Sequence, residues 1–130
     1  MDELSTQERE QGSVFAPKFD ANGLISAVVV DADSKEVLVV AFMNGDALAQ
    51  TVDTGRVHFW SRSRQSLWLK GETSGNFLEV QEIRVDCDQD ALVISATPQG
   101  PTCHTGQRSC FYRKLEKGEG GTPSLAPISR

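Results

Sequence analysis

The pattern of apolar residues predicts an α+β fold dominated by β-structure: an antiparallel or mixed sheet with one or two short helices. Two observations carry that expectation. Runs rich in Val, Ile, Leu and aromatic residues recur along the chain, each of strand length and bounded by polar or Gly-containing gaps. Only one segment, the stretch after Asn44, shifts clearly to helical spacing.

Taken in order, Gly23 precedes the β-branched run Leu24 to Val30, and the turn-rich gap Asp31 to Glu36 leads into Val37 to Met43. The pair reads as a hairpin of buried strands. Asn44 is a good helix N-cap, Ala47, Leu48 and Val52 share one helical face, and Thr54-Gly55 closes the helix. Val57 to Ser61 returns to strand character, Ser66 to Lys70 and Phe77 to Val85 alternate, and Asp90 to Ala96 is a further apolar strand. Thr105 to Lys114 is read as a short second helix. Residues 1–14 are poor in apolar side chains and are expected to lack fixed structure. Residues 115–130 are rich in Gly and Pro and are expected to form a flexible tail. Residues 15–114 then make one folded domain.

At 130 residues the chain has the length of one domain, and it needs no disulfide to bury an adequate core. Hydrophobic residues make up 38% and charged residues 24%, an ordinary soluble balance, and the net charge of −5 argues against a general nucleic-acid binder. No apolar run reaches membrane-span length, and the polar, acidic start resembles neither a signal nor a transit peptide. The expected compartment is the cytoplasm. Three cysteines, an odd number, suit metal ligation in a reducing cell better than a disulfide framework.

The chemistry concentrates in one region. Asp86, Asp88 and Asp90 alternate around Cys87, and Cys103 and Cys110 follow. If the first half of Val85 to Ile94 is extended, the aspartates share one face and Cys87 points to the other. Converging carboxylates repel unless a cation lies between them, and carboxylate oxygen suits Mg²⁺. The alternative is a polar loop of solvated acids. A calcium loop of the EF-hand kind is excluded, because it needs Gly and Glu where Ala91 and Thr97 stand. Thiolates suit Zn²⁺. There is no C-x-x-C pair of the structural-zinc kind, and the zinc-deaminase signature is absent. Three thiolates with one open position would be a catalytic arrangement; the alternative is three small buried hydrophobes. If Cys87 points away from the aspartate face, a symmetric dimer can supply it from one chain and Cys103 with Cys110 from the other.

In order and spacing, Ala41-Phe42-Met43-Asn44, Trp60-Ser61-Arg62-Ser63-Arg64, Leu67 to Asn76, Asp86 to Leu92, Gly100 to Gly106 and Ser109-Cys110-Phe111 resemble the phosphoribosyl-AMP cyclohydrolases of histidine biosynthesis. The resemblance runs from about Phe19 to Tyr112. It implies a homodimer with zinc held by Cys87, Cys103 and Cys110 across the interface, and magnesium on Asp86, Asp88 and Asp90. It also implies hydrolytic opening of the N1–C6 bond of an adenine ring ribosylated at N1, in a monofunctional enzyme. Gln89 stands where that family usually has Gly, and Thr102 where it usually has Ala; neither is a ligand.

Such a reaction needs a nucleophilic water, which zinc can supply by lowering a water pKa toward about 7. Three thiolates oppose that effect, so a base would help. His104, next to a zinc ligand, is the candidate general acid or base, and its alternative role is to orient its loop. His58 reads as structural. The two substrate phosphates need local positive charge in an acidic protein, for which Arg62, Arg64, Lys70 and Arg108 are the candidates. Trp60 and Trp68 could stack on the base, though each is more often core. The rival functions are a small β-rich dimeric binding module stapled by structural zinc and a deaminase, which would release ammonia.

Overall fold

A computed structural model of the chain describes residues 4–128. Four strands form the central sheet: β1 (Ile25–Asp31), β2 (Val37–Met43), β5 (Leu78–Val85) and β6 (Ala91–Pro98), in the order β2-β1-β6-β5. The β1–β2 and β5–β6 pairs are antiparallel and β1–β6 is parallel, so the sheet is mixed. Between its two hairpins the chain makes α2 (Gly45–Thr54) and a second small sheet of β3 (His58–Ser61) and β4 (Ser66–Leu69).

The period-2 pattern decides which face of the main sheet is covered. Ile25, Ala27 and Val29 of β1 and Leu92, Ile94 and Ala96 of β6 are buried alternately. They pack with Ala47 and Leu48 of α2 and with Val57 and Phe59, and Trp68 lies against the same core. Fully burying the Ile, Val, Leu and Phe side chains among them stabilises the fold by roughly 1.5–3 kcal/mol each. Asn44 caps α2 by accepting from the Ala47 amide at 2.9 Å, and Gly55 ends it in the left-handed conformation at φ 73°. Thr51, fully buried, donates to the Ala47 carbonyl and accepts from the His58 amide at 2.9 Å, tying α2 to β3.

The opposite face carries Val28, Val40 and Val93 in one row across β1, β2 and β6, with Val30 and Val37 paired in the next. Val37, Val40 and Val93 are exposed. One sheet face therefore stays apolar without cover among the described residues.

The α-helices among the described residues are α2 and α1 (Thr6–Gln11), the latter opened by a Ser5–Glu8 capping box. α1 lies within the segment read from sequence as lacking fixed structure. Thr105 to Lys114 is not a helix: its first part is a series of turns, and β7 (Arg113–Lys117) begins before it ends. Gly106, at φ 89°, is at odds with helix, and both Gly106 and Cys103 are committed to turn hydrogen bonds. β7 pairs with β8 (Pro123–Pro127) in a hairpin that covers most of the expected C-terminal tail, and its side chains are exposed apart from partly covered Ala126.

Candidate metal centre and active site

Cys103 and Cys110 are brought together by a compact loop and by the edge of the sheet. The Thr102 amide donates to the Arg108 carbonyl at 3.2 Å, Cys103 to Gln107 at 3.1 Å, and Gly106 back to Cys103 at 3.0 Å. A register shift in β2 makes Leu38 an extra residue against β1, and this leaves edge carbonyls to be used from outside. The Cys110 amide donates to the Leu38 carbonyl at 2.8 Å, and the buried Ser109 hydroxyl donates to the Val37 carbonyl. The cysteine is thus seated on the edge strand by main-chain geometry.

The Cys103 thiol accepts a hydrogen bond from the Thr105 hydroxyl at 3.0 Å. That bond, against the opposing effect of burial, holds the Cys103 pKa below the ordinary thiol value, with further help from Cys110 and the Lys70 ammonium. Cys110 is exposed as a residue, yet protein crowds its thiol; that burial and the neighbouring Cys103 push it up to about 11. Two sulfurs that titrate against each other, one already favouring thiolate, are a donor set that suits a soft divalent cation.

Cys103 borders a cavity of about 370 Å³ whose wall also includes Trp68, Lys70, Asn76, Thr102 and His104. Gly71 and Gly100 make room for Asn76. A Cβ on Gly71, already at φ 96°, would meet the Asn76 main chain at 2.6 Å, and one on Gly100 would run into the Asn76 amide. Asn76 in turn donates to the Pro101 carbonyl at 3.1 Å, fixing the strand exit that leads to Cys103. Thr102 is buried, and its Oγ1 has no hydrogen-bond partner among the described residues. Arg108 borders a neighbouring cavity that shares Pro101 and Gly106 as walls, 3.9 Å from Glu36.

The aspartates do converge, but a turn causes it rather than strand alternation. β5 ends at Val85 and β6 starts at Ala91, so Asp86 to Asp90 is the connecting turn, with Gln89 at φ 62°. Asp86 Oδ1 accepts from the amides of Asp90 at 2.9 Å and Ala91 at 3.1 Å. Carboxylate oxygens of Asp86, Asp88 and Asp90 all lie within 4.8 Å of one another. Loss of water pushes the Asp86 pKa up, but the hydrogen bond from the Asp90 carboxyl and those from the Ala91 and Asp90 amides outweigh it, and the pKa falls below the carboxylate norm. The same carboxylates, Asp86 and Asp88, push Asp90 up to about 6. Crowded oxygens of opposed affinity for protons are what a hard cation would relieve.

Cys87 is exposed in this turn, apart from the other two cysteines. β6 alone, eight residues, spans about 25 Å between the aspartate turn and the approach to Cys103. The remaining residues divide in the same way. Lys70 and His104 lie at the Cys103 end. Arg62 and Arg64 lie in the β3–β4 turn: Arg62 stacks over Phe42 at 4.2 Å, and Arg64 sits 5.8 Å from the Trp68 ring. The hollow beside Arg62 shares Leu24 with the hollow beside Asp90. His58 is buried, its Nδ1 2.8 Å from the Arg56 carbonyl, a structural placement. Sequence reasoning did not single out Ser109, Thr105 or Asn76; adjacency to the cysteines was the only signal available for the first two.

The model of the phosphoribosyl-AMP cyclohydrolase family matches residues 39–112, a span that holds both clusters. The chain belongs to this family. It is 61% identical over 118 residues to the phosphoribosyl-AMP cyclohydrolase of Erythrobacter litoralis, covering 91% of this chain and 94% of the relative. Against that of Sphingopyxis alaskensis the identity is 58% over 120 residues, covering 92% and 94%. Against that of Brucella canis it is 55% over 122 residues, covering 92% and 87%. Membership of the family makes the chain an enzyme, a hydrolase of histidine biosynthesis. No helix among the described residues is long and apolar enough to cross a membrane.

Proposed function

We propose that the chain opens the adenine ring of 1-(5-phosphoribosyl)-AMP by hydrolysis of its N1–C6 bond, in a cytoplasmic homodimer whose active sites lie between the chains. The observation that carries this reading is the division of the site into two halves. Cys103, Cys110, Lys70 and His104 gather at one end of β6, and Cys87 with the three aspartates gathers at the other. Each half lacks what the other has. A two-fold pairing would bring opposite halves together twice, and the open Val28, Val40 and Val93 face offers an apolar surface for it.

In that arrangement Cys103 and Cys110 with Cys87 of a second copy would hold zinc, and Asp86, Asp88 and Asp90 would hold magnesium. Zinc, when bound, supplies a water of lowered pKa. His104, on the cavity wall beside Cys103, takes a proton from the water that attacks C6 and returns one to N1 as the N1–C6 bond breaks. Lys70, Arg62, Arg64 and Arg108 neutralise the two phosphates: Lys70 lines the Cys103 cavity, Arg108 borders the cavity next to it, Arg64 lies by its Trp68 wall, and Arg62 stands toward the aspartate half. Residues 15–114 form the catalytic unit.

The direct test is turnover of phosphoribosyl-AMP followed by absorbance. Chelation should stop it, zinc should restore it, and no ammonia should appear. Ammonia release would mean deamination, and turnover that survives complete metal removal would overturn the metal assignment.

A further inference from the structure

Gln89 is the one buried polar residue of the aspartate turn, and its side chain does nothing for the turn itself. It reaches out to the N-terminal segment. Its Oε1 accepts from the Ala16 amide at 2.8 Å, and its Nε2 donates to the carbonyls of Arg9 at 2.9 Å and Val14 at 3.1 Å. Its main chain adds two bonds: the carbonyl accepts from Lys18 at 2.7 Å, and the amide donates to Asp86 at 3.1 Å. Both amide atoms of the side chain are satisfied by backbone at a sequence separation of more than seventy residues. The residue adopts φ 62°, a conformation that glycine takes without strain and glutamine does not, so the side-chain bonds must outweigh a local cost.

We infer that Gln89 is a positioning residue: it clamps residues 9–16 onto the turn and so holds Asp86, Asp88 and Asp90 in one arrangement ready for a divalent cation. Gln89 sits between two of the three carboxylates, and its own amide binds the main chain of the other. A turn pinned from both sides does not have to be ordered when the cation arrives, and the conformational cost of binding is met in advance. The clamp also walls a groove of about 310 Å³ against Cys87, so the same segment lies beside the thiol that would leave for the second chain. The inference rests on the aspartate site proposed above.

The test uses Gln89→Gly in the full-length, zinc-loaded protein. Glycine accepts the backbone angle, so the turn survives and only the clamp is lost. Amide exchange at Ala16, slow in the parent, should accelerate at least tenfold. Calorimetric titration with Mg²⁺ alone should show affinity reduced by about tenfold, the usual scale for groups that orient ligands. Half-saturating Mg²⁺ for turnover should rise in parallel, and kcat should recover at high Mg²⁺. Ala16→Pro, which deletes the donor to Oε1 from the other side, should reproduce the effect if the glycine variant fails to fold. Fast Ala16 exchange in the parent, or unchanged Mg²⁺ affinity once the segment is released, would overturn the inference. A parent protein that binds no Mg²⁺, or whose binding Asp88→Asn leaves intact, would instead overturn the aspartate site itself, and the clamp's purpose with it.

Discussion

At the scale of single residues, the Cys103 end of the molecule combines a thiol inclined to ionise, a lysine that favours the thiolate, and an exposed imidazole on one cavity wall. His104→Ala should cut kcat by roughly 10²-fold or more while leaving zinc content at one ion per site. Measuring zinc and turnover on the same preparation separates this from a role in holding the metal, in which zinc would be lost in proportion to activity. The candidate ligands were legible in the sequence because sulfur and carboxylate are chemically distinctive wherever they stand. Ser109, Thr105 and Gln89 were not, because what matters in them is a hydrogen bond to a distant or local backbone atom, and serine, threonine and glutamine make such bonds in any surface loop.

At the scale of elements, the edge of β2 serves the site by lending its carbonyls at the register shift. Ser109→Ala removes a buried donor to Val37 and should destabilise the fold by about 1–2 kcal/mol, lowering zinc occupancy at limiting metal as Cys110 loses its seat. Thermal unfolding with and without zinc would show it; equal melting and equal zinc uptake would mean that the Leu38 bond alone seats Cys110. The β7–β8 hairpin lies outside the core, so truncation after Lys114 should leave turnover within about twofold. The strands were readable because burial on one face imposes period 2, and α2 because its cap and terminal glycine agree. Of its expected face Ala47 and Leu48 are buried, but Val52 is exposed and Thr51 is buried instead, where its hydroxyl finds backbone partners. The stretch after Thr105 was misread as helix because its polar residues carry no period, and only the hydrogen bonds across the cysteine loop fix its path. The aspartate stretch left strand and polar loop both open, because an alternating sequence looks the same whether it is extended or bent at a left-handed residue.

At the scale of the whole molecule, the length of β6 separates the two candidate ligand clusters, which is what the proposed shared site requires. A mixed sheet with one face buried under α2, β3 and β4 leaves the other uncovered among the described residues, and strand length keeps the clusters apart within one chain. Sequence spacing alone places the three cysteines close together along the chain, and only the path of β6 shows that two of them stand apart from the third. The most direct test mixes two inactive variants, Cys87→Ser and Cys103→Ser, under conditions that allow subunits to exchange. Each mixed dimer would carry one site with all three cysteines, and random exchange should restore about a quarter of parental turnover. No recovery despite demonstrated exchange would contradict a zinc site shared between chains.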